Sequence, residues 1–373
     1  MKKIAQKTLD DLEFGTVLEQ TALRCATVSG KEQLLASEPD THIQAVRSAL
    51  LRTNEYHSSF SNDKPLPNHG FEDVTQEIAL LGVENSKIEA VGFRKLLLLV
   101  ETTHALLVFL KKNKDRYPAL FEATHDQIPI KEIPAEINRI IDNFGTLKDR
   151  ASDTLFSIRR QMNGVRSKIS QSFGAALSTY HGSGFLDDIR ETVMGNRRVL
   201  AVKSMYRRKV KGVIHGSSKT GSIVYIEPET TLQYTQELQN LVYDEKEEVD
   251  LILRALTDFM RPYADDLVQY AHFLTLMDTH AAKAYYGKEM NAVMPVLSEG
   301  QELDLKDAYH PLLYLSNKQK RNTTYPQDIH LHPENKIVVI SGPNAGGKSI
   351  TLKTIGLLQL MLQSGFLIPV HEK

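Results

Sequence analysis

The chain has 373 residues, enough for two or three structural units at roughly 150 residues each. Its 45 Lys and Arg balance 46 Asp and Glu, and a net charge of −1 excludes a uniformly basic, histone-like protein. A local basic patch that meets phosphates is still compatible with that balance.

The one cysteine, Cys25, excludes an internal disulfide and fits a reducing, cytoplasmic compartment. The start, MKKIAQKTLDDLEF, carries charge but no apolar segment of a signal peptide. No stretch reaches the ~18 apolar residues of a membrane span. The histidines show neither an HExxH motif nor Cys/His spacing suited to a metal.

Residues 1 to about 150 read mostly as helices. Leu12, Val17, Leu18 and Leu23 recur at helical spacing, and Ser29-Gly30-Lys31-Glu32 reads as a break or cap before the next helix. Ser61 to Gly70 is a loop by composition. Leu96 to Leu110 is apolar on more than one face, which predicts a buried helix. Pro118, Pro129 and Pro134 punctuate the turns that follow.

From Ile137 to about Tyr180 the pattern predicts one long helix, with Ile158, Met162, Val165 and Ile169 on one face and His181-Gly182-Ser183-Gly184 ending it. The period then changes. Val199, Ala201 and Val202, then Val213 and Ile214, then Ile223 to Ile226, read as short antiparallel strands, with Gly212, Gly216 and Gly221 in turns. After Pro228 a second long helix carries Leu238, Leu241 or Val242, Val249, Ile252, Leu256 and Phe259 at near-heptad spacing. Antiparallel packing of the two long helices within one chain explains this stripe better than a dimer zipper.

From about residue 300 the chain turns α/β. Ile337 to Ile340 has the pattern of a buried strand, followed by a Gly-rich loop and a helix from Lys348 to about Ser364, closed by Gly365 and Pro369. Gly342, Pro343, Asn344, Ala345, Gly346, Gly347, Lys348 and Ser349 fit the G-x-x-x-x-G-K-[ST] phosphate loop in the right context of strand, loop and helix. Glycines let backbone N–H groups wrap a phosphate, and the helix N-terminus adds donors and positive charge. In that motif Lys348 reaches the β- and γ-phosphates of ATP and Ser349 offers a hydroxyl to Mg²⁺. Hydrolysis also needs a Walker B carboxylate on another strand. About two dozen residues follow the loop, with no strand to carry that carboxylate, so the chain reads as the front portion of a longer protein.

Arg197, Arg198, Lys203, Arg207, Arg208, Lys209 and Lys211 place seven cations in fifteen residues without an acid. The alternatives are a phosphate-contact surface for nucleic acid and a solvated basic hairpin. Tyr206 alone is too little aromatic surface for a stacking platform. Asp244-Glu245-Lys246-Glu247-Glu248 reads as a solvated helix face rather than a metal site, and His330 and His332 read as ordinary strand or loop histidines.

GPNAGGKS followed by ITLKTIGLLQLM resembles the MutS family of DNA-repair ATPases. GVIHGSSKTGSIVYIEP at residues 212–228 is similar to a block of its bacterial second type, here MutS-two, with Ile214 and Ile223 as departures. Residues 149–160, the 303–313 segment ending in His310-Pro311-Leu312-Leu313, and residues 9–25 look like the same branch, so the resemblance covers roughly 7 to 373. No Phe is followed two places later by Glu, the wedge pattern of mismatch-reading relatives.

The resemblance implies a mainly α fold with α/β. A helical core at 1–150 leads to a lever helix at 151–184 and a small antiparallel β clamp at 185–230. Returning helices at 231–298 then lead to the start of an ABC-type P-loop ATPase domain at 299–373. It further implies ATP and Mg²⁺, a homodimer, and DNA or a stalled ribosome (rRNA) as partner, with no membrane. ATPase activity is expected of the complete family protein, which also has a separate Smr nuclease domain. The resemblance adds Tyr325, in a segment that meets the adenine, and His310 to the cofactor-binding residues. Gly216 stands where the branch often has Asp. The alternative function is nucleic-acid holding without hydrolysis.

Overall fold

The computed structural model describes residues 4–62, 65–298, 300, 302–341 and 347–371. The fold is mainly helical with small antiparallel sheets, as the sequence pattern predicts. The helices before the first sheet are α1 (Gln6–Asp11), α2 (Phe14–Ala22), α3 (Val28–Leu35), α4 (Ile43–Ser59), α5 (Thr75–Leu81), α6 (Ala90–Lys112), α7 (Pro118–Glu122), α8 (Glu132–Ile140) and α9 (Asp153–Gly182). Strands β1 (Leu186–Met194), β2 (Arg197–Lys203), β3 (Gly212–Ser217) and β4 (Ile223–Pro228) follow, then α10 (Glu229–Met260) and α11 (Ala264–Glu289). The chain closes with β5 (Leu303–Ala308), α12 (Pro311–Lys320), β6 (Gln327–Leu331) and α13 (Lys348–Gln363). No helix of the described residues is long and apolar enough to cross a membrane.

Two compact units emerge. One comprises Met1–Val83, Gly92–Ala135 and Met260–Lys373; the other comprises Glu84–Val91 and Glu136–Phe259. In the first, Phe14, Val17, Leu18 and Ala22 form the buried stripe of α2 and share a core with Leu357, Leu358 and Met361 of α13. The leucine run of α6 is buried around most of its circumference, as its pattern predicts. The Ser29–Glu32 segment is not a break. It lies inside α3, and the cap is Thr27, whose Oγ1 accepts from Gly30 N at 2.9 Å. Pro118 occupies the first turn of α7, where Ala119 and Leu120 N–H each donate to the Glu55 carboxylate at 2.8 Å.

The strand expected at Ile337–Ile340 does not form. The segment has no strand geometry, and Ile337 and Val339 are 78% and 84% exposed. An apolar run becomes a buried strand only when neighbours take its backbone donors and acceptors, and among the described residues none pairs with it. Here β5 and β6 form a separate antiparallel pair, Leu303 opposite Leu331.

In the second unit the helix expected from Ile137 is interrupted. Helix α8 ends at Ile140, and Asp142 Oδ1 accepts from Phe144 N at 2.8 Å and Thr146 N at 3.0 Å, with Gly145 at φ +80°. This Asx turn competes with helix, as Asp, Asn and Gly do. Helix α9 restarts after Ser152, which accepts from Leu155 N at 3.0 Å. Ile158, Met162 and Val165 of α9 pack against Leu241 of α10, so the two long helices pair within one chain. Two of the acids read as a solvated face are engaged there: Glu245 pairs with Arg159 at 2.7 Å and Glu248 accepts from Ser152 Oγ at 2.6 Å.

The four strands pair antiparallel in the order β1-β2-β4-β3. Strand β1 escapes a pattern reading because Asp187, Asp188 and Arg190 break its alternation, and a bulge lies between Leu186 and Glu191 with Arg190 at φ +59°. Gly216 sits at a bulge inside β3 rather than in a turn. Gly212 opens β3, where a Cβ would lie 2.0 Å from the Glu227 carbonyl oxygen.

Candidate nucleic-acid interface and phosphate loop

The seven cations of the basic run do not share one environment. Arg197 donates to Glu227 Oε2 at 2.9 Å, and Arg198 to Glu191 Oε2 at 2.6 Å while its guanidinium covers the Phe173 ring at 4.3 Å. Both are half-buried parts of the sheet's own architecture. Lys203, Arg207, Arg208, Lys209 and Lys211 are exposed on the segment from the end of β2 to the start of β3. These five are the cations of the run that face solvent.

That segment is tied to the sheet by its alternate residues. Val210 is buried with Leu200, Val202 and Val224. The Tyr206 ring stacks on Phe185 at 4.9 Å, so it is a packing residue, and Lys209 Nζ lies 5.6 and 5.8 Å from the two ring centres. At the start of the segment, Ser204 N donates to Ser222 O at 2.9 Å and Ser204 Oγ to Gly221 O at 2.7 Å. These bonds bring the β3–β4 turn to the same end of the sheet. The turn carries Ser218, Thr220 and Ser222, with Thr220 and Ser222 hydroxyls 2.8 Å apart, and an exposed Lys219.

Glu227 fixes the opposite end of the sheet. It is buried, and its Oε2 accepts from Arg197 and from His215 Nε2 at 2.7 Å. Burial alone would raise the carboxyl's pKa, but the neighbouring Thr235 and the hydrogen bonds from Arg197 and His215 hold it below the usual carboxylate range. The cluster joins β2, β3, β4 and α10, which makes the sheet a rigid carrier for its exposed cations.

Of the phosphate loop, Gly342, Pro343, Asn344, Ala345 and Gly346 lie outside the described residues. Gly347 is left-handed at φ +84° and precedes α13, whose first turn receives no side-chain cap. Those backbone donors suit a phosphate oxygen. Lys348 and Ser349 open the helix, Ser349 exposed. Tyr325, 80% exposed, offers a free ring face just before β6. His310 caps α12: its Nδ1 accepts from Leu313 N at 3.4 Å, its Nε2 is buried without a hydrogen-bond partner, and burial pushes its pKa down. The nearby Asp328 is engaged by Asp307 N at 2.8 Å, and His330 by Asp304 at 2.6 Å.

No family model matches the chain. MutS2 of Bacillus subtilis (strain 168) is 32% identical to it over 369 residues, 98% of this chain. Proteins named Endonuclease MutS2 from Bacillus velezensis and Lactobacillus helveticus are 31% and 33% identical, each again over 98% of this chain. The chain is a homologue of the MutS2 proteins. It spans about half, 46%, of the length of these relatives.

In this MutS2 homologue, reading charge alone missed two things. Lys219 and the hydroxyls of the β3–β4 turn lie outside the basic run, and only the hydrogen bonds of Ser204 reveal that they join it. The Ser-Ser-Lys-Thr-Gly-Ser run, read as turn chemistry next to a basic stretch, was the available signal.

Proposed function

We propose that this chain supplies the nucleic-acid clamp, its helical arms and the phosphate loop of an ATP-driven protein of MutS2 type that acts on DNA or on stalled ribosomes. The carrying observation is the exposed cation segment Lys203–Lys211, held on a rigid four-stranded sheet beside the hydroxyl-bearing turn 217–222. Such a surface contacts backbone phosphates and fixes register without reading bases. The endonuclease name of the relatives belongs, on this reading, to the activity of the intact protein.

Gly342 to Ser349 would cradle the phosphates of ATP, with Lys348 opposite the β- and γ-phosphates and the Ser349 hydroxyl on Mg²⁺. Tyr325 would stack on the adenine, and His310 would hold the start of α12 beside it. ATP held there would supply a phosphoanhydride bond, and its cleavage by water would reset a closed homodimer. Lys283 and Thr53, at the far end of α13, pass its position on to the helical core.

The test is a salt series of DNA affinity on the intact protein. Replacement of Arg207, Arg208 and Lys209 by Ala is expected to lower the slope of log affinity against log salt by about 0.9 for each phosphate that is no longer neutralised. An unchanged slope overturns the clamp assignment. Lys348→Ala is expected to keep DNA binding and to lose its release by ATP.

A second reading, nucleic-acid holding without turnover, is favoured by the exposure of Ile337 and Val339 ahead of the loop. It stands if ATP leaves DNA binding by both the wild-type protein and Lys348→Ala unchanged.

A further inference from the structure

Met205 lies at the centre of a 3-10 turn, Ser204–Tyr206, and is 78% exposed. Singly exposed apolar side chains are common on protein surfaces. This one differs in its setting. Lys203 precedes it, and Arg207, Arg208 and Lys209 follow it, all exposed. The backbone beneath it is held from both sides, by the bonds of Ser204 to Gly221 and Ser222 and by the stack of Tyr206 on Phe185. The turn therefore presents a long, unbranched, polarisable side chain on a held backbone, with exposed cations before and after it along the chain.

We infer that Met205 is an apolar wedge that enters the minor groove of duplex DNA between base steps. The inference rests on the reading that the surrounding cations hold nucleic acid. Cations that neutralise the two backbones on either side of a groove leave an apolar tip facing the base edges. Insertion of such a tip unstacks a step and kinks the duplex. The step costs least where stacking is already broken, so Met205 directs the clamp to nicked or branched DNA over continuous duplex. Duplex RNA is the weaker fit, because its minor groove is wide and shallow and its major groove is too narrow for side chains. Ser218, Thr220 and Lys219 lie at the same end of the sheet and add phosphate contacts beside the wedge.

The experiment compares the intact wild-type protein with Met205→Ala and Met205→Leu. The probes are a nicked DNA duplex carrying 2-aminopurine beside the nick, the continuous duplex of the same sequence, and the corresponding nicked RNA duplex. Met205→Ala is expected to lose about tenfold in preference for nicked over continuous DNA, the equivalent of roughly 1.4 kcal/mol. It is expected to lose the 2-aminopurine fluorescence rise and to keep the wild-type salt slope. Met205→Leu is expected to retain both the preference and the rise. Unchanged preference and fluorescence in Met205→Ala overturn the wedge. An equal preference for nicked RNA overturns the assignment to DNA. Failure of the underlying reading looks different: the Arg207, Arg208 and Lys209 replacement would then keep the wild-type salt slope whatever Met205 does.

Discussion

Lys283 Nζ donates to the Ser364 carbonyl oxygen at 2.8 Å, so a buried cation of α11 caps the end of the helix that begins at the phosphate loop. Thr53 of α4 strengthens the joint, its hydroxyl 2.8 Å from the Gly365 carbonyl oxygen and 2.9 Å from His280 Nδ1. Gly365 is left-handed at φ +71°, and a Cβ there would meet the Ala49 Cβ at 2.7 Å. Helix α13 is thereby fastened to α4 and α11 at the end remote from Gly347.

Burial lowers the Lys283 pKa from 10.5 to about 8, opposed weakly by Cys25. The unfolded chain keeps this proton to a higher pH than the folded one, so folding gains stability as pH rises across that window. The difference corresponds to about 3 kcal/mol. Urea unfolding of wild type and Lys283→Met from pH 7 to 10.5 should show the wild type gaining that much relative to the variant. Parallel pH profiles would remove Lys283 as a buried titrating cation.

Glu227 behaves in the opposite sense. Its pKa lies below the ordinary 4.5, so its stabilisation is complete above that pH and is lost as the folded carboxyl protonates in acid. Glu227→Gln leaves Arg197 and His215 without their carboxylate and should cost about 3 kcal/mol. Hydrogen exchange of residues 186–228 reads this locally. Faster exchange in the variant at neutral pH, converging with wild type in acid, is the expected result.

Local pattern revealed the helical arms, because Ile158, Met162, Val165 and Leu241 obey a period that packing then uses. It revealed three of the four strands β1–β4 for the same reason. It missed β1, whose acids and bulge hide its alternation, and misread Ile337–Ile340, whose strand character depends on partners rather than on its own residues. In the basic run, charge was legible but its division was not. Arg197 and Arg198 became structural only through Glu227 and Glu191, and Glu227 lies thirty residues from Arg197. The ties of α13 to Lys283 and Thr53 are longer in range still, and no periodicity encodes them.

Gly30 offers a sharper test of such a long-range constraint. A Cβ there would lie 2.2 Å from Asp278 Oδ2 and 2.8 Å from Thr27 Oγ1. The buried Asp278 carboxylate accepts from Ala26 N, Thr27 N, Thr27 Oγ1 and His69 Nε2, so it has no freedom to retreat. Helix propensity alone favours Gly30→Ala by up to about 1 kcal/mol. Overpacking against this cluster should win, giving a net loss of roughly 2 kcal/mol in urea unfolding. A stabilised variant would show that the cluster yields.

Arg197 and Arg207 belong to the same basic run but should fail differently. Arg207 is exposed, so Arg207→Ala removes one phosphate-neutralising cation and lowers the salt slope of DNA binding by about 0.9, with thermal stability unchanged. Arg197 already pairs with the buried Glu227, so Arg197→Ala strips that carboxylate of one of the two donors to its Oε2, His215 being the other. It should lower the melting temperature and leave the salt slope of the folded protein near wild type. Affinity titrations across a salt series, paired with thermal unfolding of both variants, separate the two roles. An equal drop in slope for both variants would mean that Arg197 leaves Glu227 to reach the phosphates, and the division of the run into structural and phosphate-facing cations would then fail.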